Sequence, residues 1–175
     1  MGLDPVLLET LRAFKRFNVI GTSGSGKSTF AKNLAASLDL KHIELDAFRH
    51  EPNWREAPDE IFRERVAEAV TAERWIVDGN YGIARDLVWP RAEVIIWLDY
   101  SFPRVFWQVF TRTIRRSVKR EVLWNGNRES LWKAFCTRES ILLWVLQTYW
   151  KKKRTTPALF ERPEYGHLKI VRLSD

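Results

Sequence analysis

The chain has 175 residues, of which 45% are hydrophobic and 29% charged, the composition of one globular domain with a substantial core. One cysteine excludes an internal disulfide, and three scattered histidines exclude a zinc site of the usual kind. The net charge is +7, and residues 111–154 hold twelve Lys/Arg against three acids, so the positive charge is local and phosphate is its natural partner.

The N-terminal residues 1–15 are predicted to form a helical extension. Asp4 can cap a helix whose first turn carries Pro5, and Leu and Phe residues form one apolar stripe. The stripe favours packing against the rest of the protein, and a partner-binding helix is the alternative. Charged residues interrupt the first apolar run, and no apolar run is long enough to span a bilayer. We therefore expect a cytoplasmic protein without membrane contact.

A glycine-rich motif follows the first predicted strand, 16–20, and leads into a predicted helix, 27–38. It fits the phosphate-binding pattern G-x-x-x-x-G-K-[S/T], in which backbone N–H groups surround phosphate. Lys27 can reach the β- and γ-phosphates, and the Ser28 hydroxyl can bind Mg²⁺. The motif predicts ATP and Mg²⁺ as ligands. The predicted nucleotide-binding residues are Gly21, Thr22, Ser23, Gly24, Ser25, Gly26, Lys27, Ser28 and Thr29.

The rest of the chain alternates strands with helices. Further strands are predicted at 41–46, 74–79, 92–99 and 167–173. Helices are predicted at 59–72, in the basic region that ends near residue 120, and at 128–151. This alternation predicts an α/β three-layer sandwich with a five-stranded parallel sheet. In such sheets the ligand site lies beyond the carboxyl ends of the strands.

Three of the predicted strands carry an aspartate at their last position or one residue before it. Asp78 is predicted to hold Mg²⁺ together with Ser28, with a role in the turn at Gly79 as the alternative. Asp46 is predicted to orient or deprotonate an acceptor hydroxyl, and a helix N-cap is the alternative. Asp99 is predicted to cap the following helix.

Arginines in the basic segment are predicted to balance charge during phosphoryl transfer. The candidates are Arg112, Arg116 and Arg128, and the first two share a helix face with Arg120. Arg115 falls off that face. A solvated basic surface is the alternative. The nearby Asn-Gly-Asn turn is suited to the hinge of a mobile lid.

Two further features have open interpretations. Trp54 lies in the irregular stretch after the second strand, where it is predicted either to stack on an acceptor ring or to pack the loop. The basic run 151–154 complements the dipole at a helix end, and contact with nucleic acid is the alternative.

The sequence resembles adenylate-kinase-like P-loop proteins of the topology modulation protein family. The D-G-N-Y and W-N-G-N-R-E-S runs are the more specific parts of the resemblance. The matching segments are 19–29, 43–46, 75–81, 97–99 and 124–130. The resemblance implies a P-loop NTPase of the nucleoside monophosphate kinase type, formed by 16–175, with strand order 2-3-1-4-5. It also implies an acceptor-binding segment at 47–72 and a basic lid at 112–128.

The resemblance also bears on the acceptor. The turn at Asp78 is similar to the Asp-Gly-Phe-Pro-Arg turn of nucleoside monophosphate kinases, whose Asp is linked to Mg²⁺, but here Arg85 is the nearest arginine. A standard nucleoside monophosphate acceptor is therefore not implied. The segment around Asp46 resembles the Asp-x-Phe segment of uridine kinase and phosphoribulokinase relatives, where the Asp is the base. The predicted substrate-binding residues are Asp46, Arg49, Trp54 and Arg85.

The predicted function is that of a Mg-ATP-dependent phosphotransferase acting on a nucleotide, nucleoside or other small-molecule acceptor. The predicted catalytic residues are Lys27, Asp46, Arg112, Arg116 and Arg128. A nucleotide-binding regulator or DNA-associated ATPase that affects DNA topology is the alternative, and a catalytically idle nucleotide binder is a third. Nucleic acid is thus a secondary partner, and the chain is expected to be a monomer or a homodimer.

Overall fold

A computed structural model describes residues 4–119, 122–127 and 141–175. Five strands form one parallel sheet in the order β2-β3-β1-β4-β5, which confirms the predicted order. The strands are β1 Arg16–Gly21, β2 Lys41–Glu44, β3 Trp75–Asp78, β4 Val94–Leu98 and β5 Lys169–Leu173. Parallel pairing aligns the carboxyl ends of all five strands along one edge of the sheet.

Helices cover both faces of the sheet, as expected of a three-layer sandwich. The α-helices are α1 Pro5–Leu11, α2 Lys27–Leu38, α3 Leu45–Arg49, α4 Asp59–Ala69, α5 Arg85–Val88, α6 Phe102–Val118 and α7 Ile141–Phe160. Short 3₁₀ turns lie at Pro52–Trp54, Gly82–Ala84, Trp124–Gly126 and Pro163–Tyr165. In the part of the chain that the structure describes, no helix is both long and apolar enough to cross a membrane.

The sheet separates two hydrophobic cores. On β4, Val94 and Ile96 point into the core that contains α1, α2, α6 and α7, whereas Ile95 and Trp97 point into the core beneath α4. This alternation follows from the two-residue period of a strand. All five residues of β4 are buried, which matches the continuous apolar run of the sequence.

The N-terminal helix packs as the apolar stripe predicted. The Asp4 side chain accepts a hydrogen bond from the Val6 N–H at 2.8 Å, so it is the N-cap of α1. Leu11 is fully buried in the first core, and Phe14 packs against the same core. The apolar stripe of α1 thus packs against the first core of the same chain.

Two predicted boundaries are wrong because long-range contacts decide them. Strand β2 ends at Glu44, which pairs with the last residue of β3, and the chain turns directly into α3. Asp46 therefore lies in the first turn of a helix and not at a strand end. At the other end of the chain, α7 continues past residue 151 and through Pro157 to Phe160. Packing of Phe160 against the second core stabilises this extension.

The prediction that Asp99 caps the following helix is also wrong. Asp99 is buried, and its carboxylate accepts a hydrogen bond from Arg172 Nε at 2.9 Å and lies 3.5 Å from Lys153 Nζ. Ser101 is the N-cap of α6, and its N–H donates to the carboxylate of Asp175 at 2.7 Å. Asp99 thus joins β4 to β5 and α7.

Candidate functional site

A cleft with a volume of about 1350 Å³ opens at the carboxyl ends of the strands. Its walls come from the loop after β1, from segments that follow β2 and β3, and from α6 and α7. This is the place where parallel α/β sheets bind ligands. The predicted site residues that line it are Gly21, Ser23, Gly24, Ser25, Gly26, Lys27, Ser28, Thr29, Asp46, Trp54, Asp78, Arg112 and Arg116.

The loop between β1 and α2 has the geometry of an anion site. Gly24 and Gly26 have φ of +82° and +86°, values that suit glycine. Gly26 is the N-cap of α2, and no side chain of the described residues caps that helix end. The first N–H groups of α2 are therefore donors for a bound phosphate. The Lys27 ammonium donates to the carbonyl of the buried Thr22 at 3.1 Å, which folds it over the loop.

Asp78 and Ser28 meet beside this loop. Asp78 is the last residue of β3 and is 6% exposed. Burial raises the pKa of its carboxyl, whereas the charge of Lys27 and a hydrogen bond with Ser28 lower that pKa. A hydroxyl and a carboxylate are the oxygen ligands with which Mg²⁺ is held in nucleotide sites, together with phosphate oxygens and water. The donor set of Ser28 and Asp78 therefore fits Mg²⁺.

Asp46 lines the cleft from the first turn of α3. Tyr81 donates its hydroxyl proton to Asp46 Oδ1 at 2.6 Å, which fixes the orientation of the carboxylate. Burial, followed by the charge of Asp46, raises the pKa of the Tyr81 hydroxyl, so Tyr81 stays a donor. The charge of Asp46 also raises the pKa of Asp78, which shows that the two predicted carboxylates share one electrostatic environment. The sequence did not single out Tyr81.

The arginines of α6 enter the cleft on a wider stripe than the sequence analysis assumed. Arg112 and Arg116 line the wall as predicted, but Arg115 lines it as well. The cleft-facing positions Arg104, Gln108, Thr111 and Arg115 recur every three to four residues, so they form a helical stripe beside the first two arginines. Arg115 thus lies off the stripe of Arg112 and Arg116 and still lines the cleft, because the cleft face of α6 is wider than that stripe. Arg120 and Arg128 lie outside the described residues, and the role of Arg128 stays a prediction.

Lys152 of α7 is a cleft residue that the sequence analysis missed. Burial and, to a smaller extent, the charge of Lys27 lower the pKa of its ammonium to about 8, against the opposing charge of Asp46. Its neighbour Lys153 turns instead toward Asp99, and Lys151 is exposed. The basic run was visible in the sequence. Only the direction of the helix in the folded protein selects which of its members reaches the phosphate loop.

Two predicted substrate residues do not lie on the cleft wall. Arg49 donates to Asp59 at 2.6 Å and pairs with Glu56, and these hydrogen bonds raise its pKa. The Arg85 guanidinium lies 5.1 Å from the centroid of the Trp89 ring, where burial lowers its pKa. Both arginines therefore make contacts inside the protein, and their binding of substrate stays a prediction.

The Trp124–Asn127 turn docks on the segment that follows β2. The Asn-Gly-Asn sequence is suited to a hinge. Its hydrogen-bond partners lie more than 70 residues away, so the neighbouring residues in the sequence do not indicate them. Its hydrogen bonds are Trp124 Nε1 to Glu44 Oε2 (2.7 Å), Asn125 Nδ2 to His50 O (2.6 Å), Asn127 Nδ2 to Glu51 O (2.9 Å) and Trp54 N to Asn127 Oδ1 (2.9 Å). Trp124 and Trp54 thereby become parts of one wall.

Comparison with known proteins identifies the fold. No protein-family model and no curated protein sequence matches the chain. A shikimate kinase from Bacteroides thetaiotaomicron is similar with a TM-score of 0.54 and 16% identity, over 90% of this chain and 85% of that one. A gluconokinase from Sinorhizobium meliloti 1021 has a TM-score of 0.51 and 18% identity, over 91% of this chain and 82% of the other. With the sheet order, these similarities establish the P-loop NTPase fold of the nucleoside monophosphate kinase type.

Proposed function

We propose that the protein is a Mg-ATP-dependent phosphotransferase that phosphorylates a hydroxyl group of a small-molecule acceptor. One observation carries the proposal. A phosphate loop with Lys27, a Ser28–Asp78 pair suited to Mg²⁺ and an oriented Asp46 carboxylate all face one cleft. Phosphoryl transfer depends mainly on such positioning and on charge balance, so few other groups are required.

Each group has a separate task in the reaction. Loop amides and Lys27 hold the β- and γ-phosphates of ATP. Mg²⁺, when bound to Ser28 and Asp78, offsets the charge of these phosphates. Asp46 accepts the proton of the acceptor hydroxyl as its oxygen attacks the γ-phosphorus. The bond from that phosphorus to the β–γ bridging oxygen breaks, and the products are ADP, a phosphate monoester and a proton.

The cationic side chains on the cleft support a nucleotide as the ligand. Arg112, Arg115, Arg116 and Lys152 all line the cleft that contains the phosphate loop. Positive charge in a partly dry site stabilises the transferring phosphoryl group and the leaving ADP. A nucleotide thus accounts for four of the twelve basic residues of 111–154 without DNA. The resemblance to the topology modulation protein family remains compatible with the proposed chemistry, since that name describes no reaction.

Replacing Lys27 by alanine tests the proposal. We expect acceptor-dependent ADP formation to fall by at least ~100-fold, because the fixed cation at the β- and γ-phosphates is lost. Circular dichroism of the variant should match that of the wild type. Lys32→Ala removes an exposed lysine from the same helix and should leave activity intact. Normal turnover in the Lys27 variant would overturn the assignment.

The Asp46→Asn variant tests whether the protein is a kinase or a nucleotide-binding regulator. The variant should lose ~100-fold or more of phosphoryl transfer while it retains ATP affinity, since Asp46 acts on the acceptor. Transfer from labelled ATP measures the first quantity, and calorimetry measures the second. Slow ATP hydrolysis that no acceptor accelerates, in the wild type and in this variant alike, contradicts the kinase and favours the nucleotide-binding regulator.

A further inference from the structure

The part of the cleft wall formed by the segments after β2 and β3 and by the Trp124–Asn127 turn has its own chemical character. We define the acceptor wall as the cleft-lining side chains of Asp46, His50, Trp54, Glu56, Tyr81 and Trp124. Three of these are aromatic residues, one is an imidazole and two are carboxylates. The His50 ring lies 5.4 Å from that of Trp54 and 6.1 Å from that of Trp124, centroid to centroid. The wall therefore offers flat ring surfaces beside two acids.

Arg49, which pairs with the wall residue Glu56, is neutralised within the protein. Arg49 bonds to two carboxylates, Glu56 and Asp59, and to the carbonyl of Ala57 at 3.1 Å. Two acids share this one guanidinium, so the group as a whole carries a net negative charge. Glu56 presents that charge to the cleft, whereas Arg49 does not line it.

The two arginines of α4 are also held by acids. Arg63 donates to both carboxylate oxygens of Asp86 at 2.8 and 2.7 Å, in the bidentate geometry typical of strong pairs. Arg65 donates to Glu51 at 3.2 Å and to a backbone carbonyl. Neither lines the cleft. The cations that do line it come from the phosphate loop, α6 and α7 among the residues that the structure describes.

The acceptor wall is held in place before any acceptor arrives. Asn53 and Trp54 have φ of +62° and +60°, a conformation that costs non-glycine residues about 1 kcal/mol each. Asn127 holds this backbone, since its amide accepts from the Trp54 N–H and donates to the Glu51 carbonyl, both at 2.9 Å. A strained segment that is fixed by hydrogen bonds indicates a preorganised subsite.

We propose that this subsite takes a neutral or amine-bearing ring alcohol, and that it rejects acceptors that carry a phosphate or carboxylate group. The proposal rests on the proposed kinase function and narrows its acceptor. Ring faces stack on Trp54 and Trp124, and a positively charged amine is attracted to aromatic faces and carboxylates. An anionic group on the acceptor would meet Asp46 and Glu56 with no opposing cation from Arg49, Arg63 or Arg65.

Matched pairs of acceptors test the proposal in the wild-type protein. The pairs are glucose and glucuronate, adenosine and AMP, and uridine and UMP, with glucosamine as the amine-bearing member. Phosphoryl transfer from labelled ATP with Mg²⁺ gives kcat/KM for each compound. We expect at least one neutral or amine-bearing compound to be phosphorylated, with kcat/KM at least ~10-fold above that of its anionic counterpart.

The possible outcomes distinguish this inference from the proposed function. If glucuronate, AMP or UMP is the better member of its pair, the acceptor inference is wrong and the kinase function stands. If none of the compounds is phosphorylated and ATP is not consumed, the proposed function fails and the inference fails with it.

A variant at Glu56 tests whether the negative charge of the acceptor wall determines the preference for neutral acceptors. Glu56→Gln removes one carboxylate from the wall and one partner of Arg49, so it should reduce the preference for the neutral member by ~3-fold or more. Glu60→Gln removes an exposed acid at the start of α4 and should leave the preference unchanged. An unchanged preference in Glu56→Gln would show that this carboxylate does not select the acceptor.

Discussion

Lys152 shows how one side chain acquires a role from its surroundings. It belongs to a run of four basic residues, yet it alone of the run lines the cleft with the phosphate loop. Burial and the charge of Lys27 both disfavour its ammonium form, so its pKa falls to about 8. In the nucleotide-free protein the side chain is thus charged below about pH 8 and neutral above it. Bound phosphate favours the charged form, which couples nucleotide binding to proton uptake.

The affinity for ATP should therefore decline as the pH rises through 8. We expect Lys152→Met to bind ATP ~10-fold more weakly at pH 7 and to lack this decline, since one charge-assisted contact is lost. Lys152→Arg should keep its affinity to higher pH because a guanidinium stays protonated. Calorimetric titrations from pH 6.5 to 9.5 measure both, with Lys151→Met as the exposed control. Identical pH profiles in wild type and Lys152→Met would contradict a role for this lysine.

The contact between the phosphate loop and α6 determines the geometry of the site at the level of elements. A Cβ atom at Gly24 would lie only 1.9 Å from Cγ2 of the fully buried Val109. The loop and the helix are therefore packed against one another at a position where only glycine fits. The same contact positions α6 so that its arginines line the cleft.

Gly24→Ala should lower the free energy of unfolding by about 2–4 kcal/mol, through a strained φ and a clash with Val109. Gly26→Ala provides the matched control, since its φ is +86° and nothing lies within 4 Å of the new Cβ. That variant should lose only about 1 kcal/mol. Urea denaturation measures the free energy of unfolding of the two glycine variants. The same measurement on Val109→Ala and on the double variant Gly24→Ala/Val109→Ala gives the coupling energy between positions 24 and 109. Strictly additive effects of Gly24→Ala and Val109→Ala would show that the contact is not the cause.

Across the whole molecule, the Trp124–Asn127 turn connects two parts of the chain that the sequence separates widely. Asn127 is 4% exposed, and its amide bridges two backbone groups of the acceptor side that lie more than 70 residues away. The turn follows α6, which carries cleft arginines, so it links the phosphate side of the cleft to the acceptor wall. We expect this link to position the acceptor and not to bind ATP.

Asn127→Ala should raise the KM for the acceptor by ~5-fold or more and leave the ATP affinity unchanged. The substitution strips partners from the Trp54 N–H and the Glu51 carbonyl, which costs about 1–3 kcal/mol at a buried site. Asn127→Asp keeps the acceptor for the Trp54 N–H but places a charged oxygen against the Glu51 carbonyl at a buried position, so its effect should be at least as large. Steady-state kinetics and calorimetry give the two quantities. Equal losses for ATP and acceptor would argue that the turn has only a general structural role.

Local patterns in the sequence predicted the phosphate loop and the strands and helices on either side of it. The glycine motif with Lys27 and Ser28, the bounds of α2 and the carboxylate of Asp78 all follow from residues within a few positions of one another. Apolar runs indicated the five strands, and the family resemblance supplied their order, which the structure has. Short-range spacing is enough to predict these elements because strands and helices differ in the period of their apolar residues, and Gly and Pro mark the loops between them.

The tertiary structure alone decided how charges are distributed around the cleft. Asp99 pairs with Arg172 across 73 residues, and the turn at Asn127 meets Trp54 across a similar separation. Spacing in the sequence carries no information on such pairs, since their geometry depends on how the helices and strands pack. For the same reason, the sequence analysis could include Arg49 among the predicted substrate-binding residues without showing that the fold pairs it with two acids. Lys152, which the sequence left within a basic run, is the lysine that the fold brings to the phosphate loop.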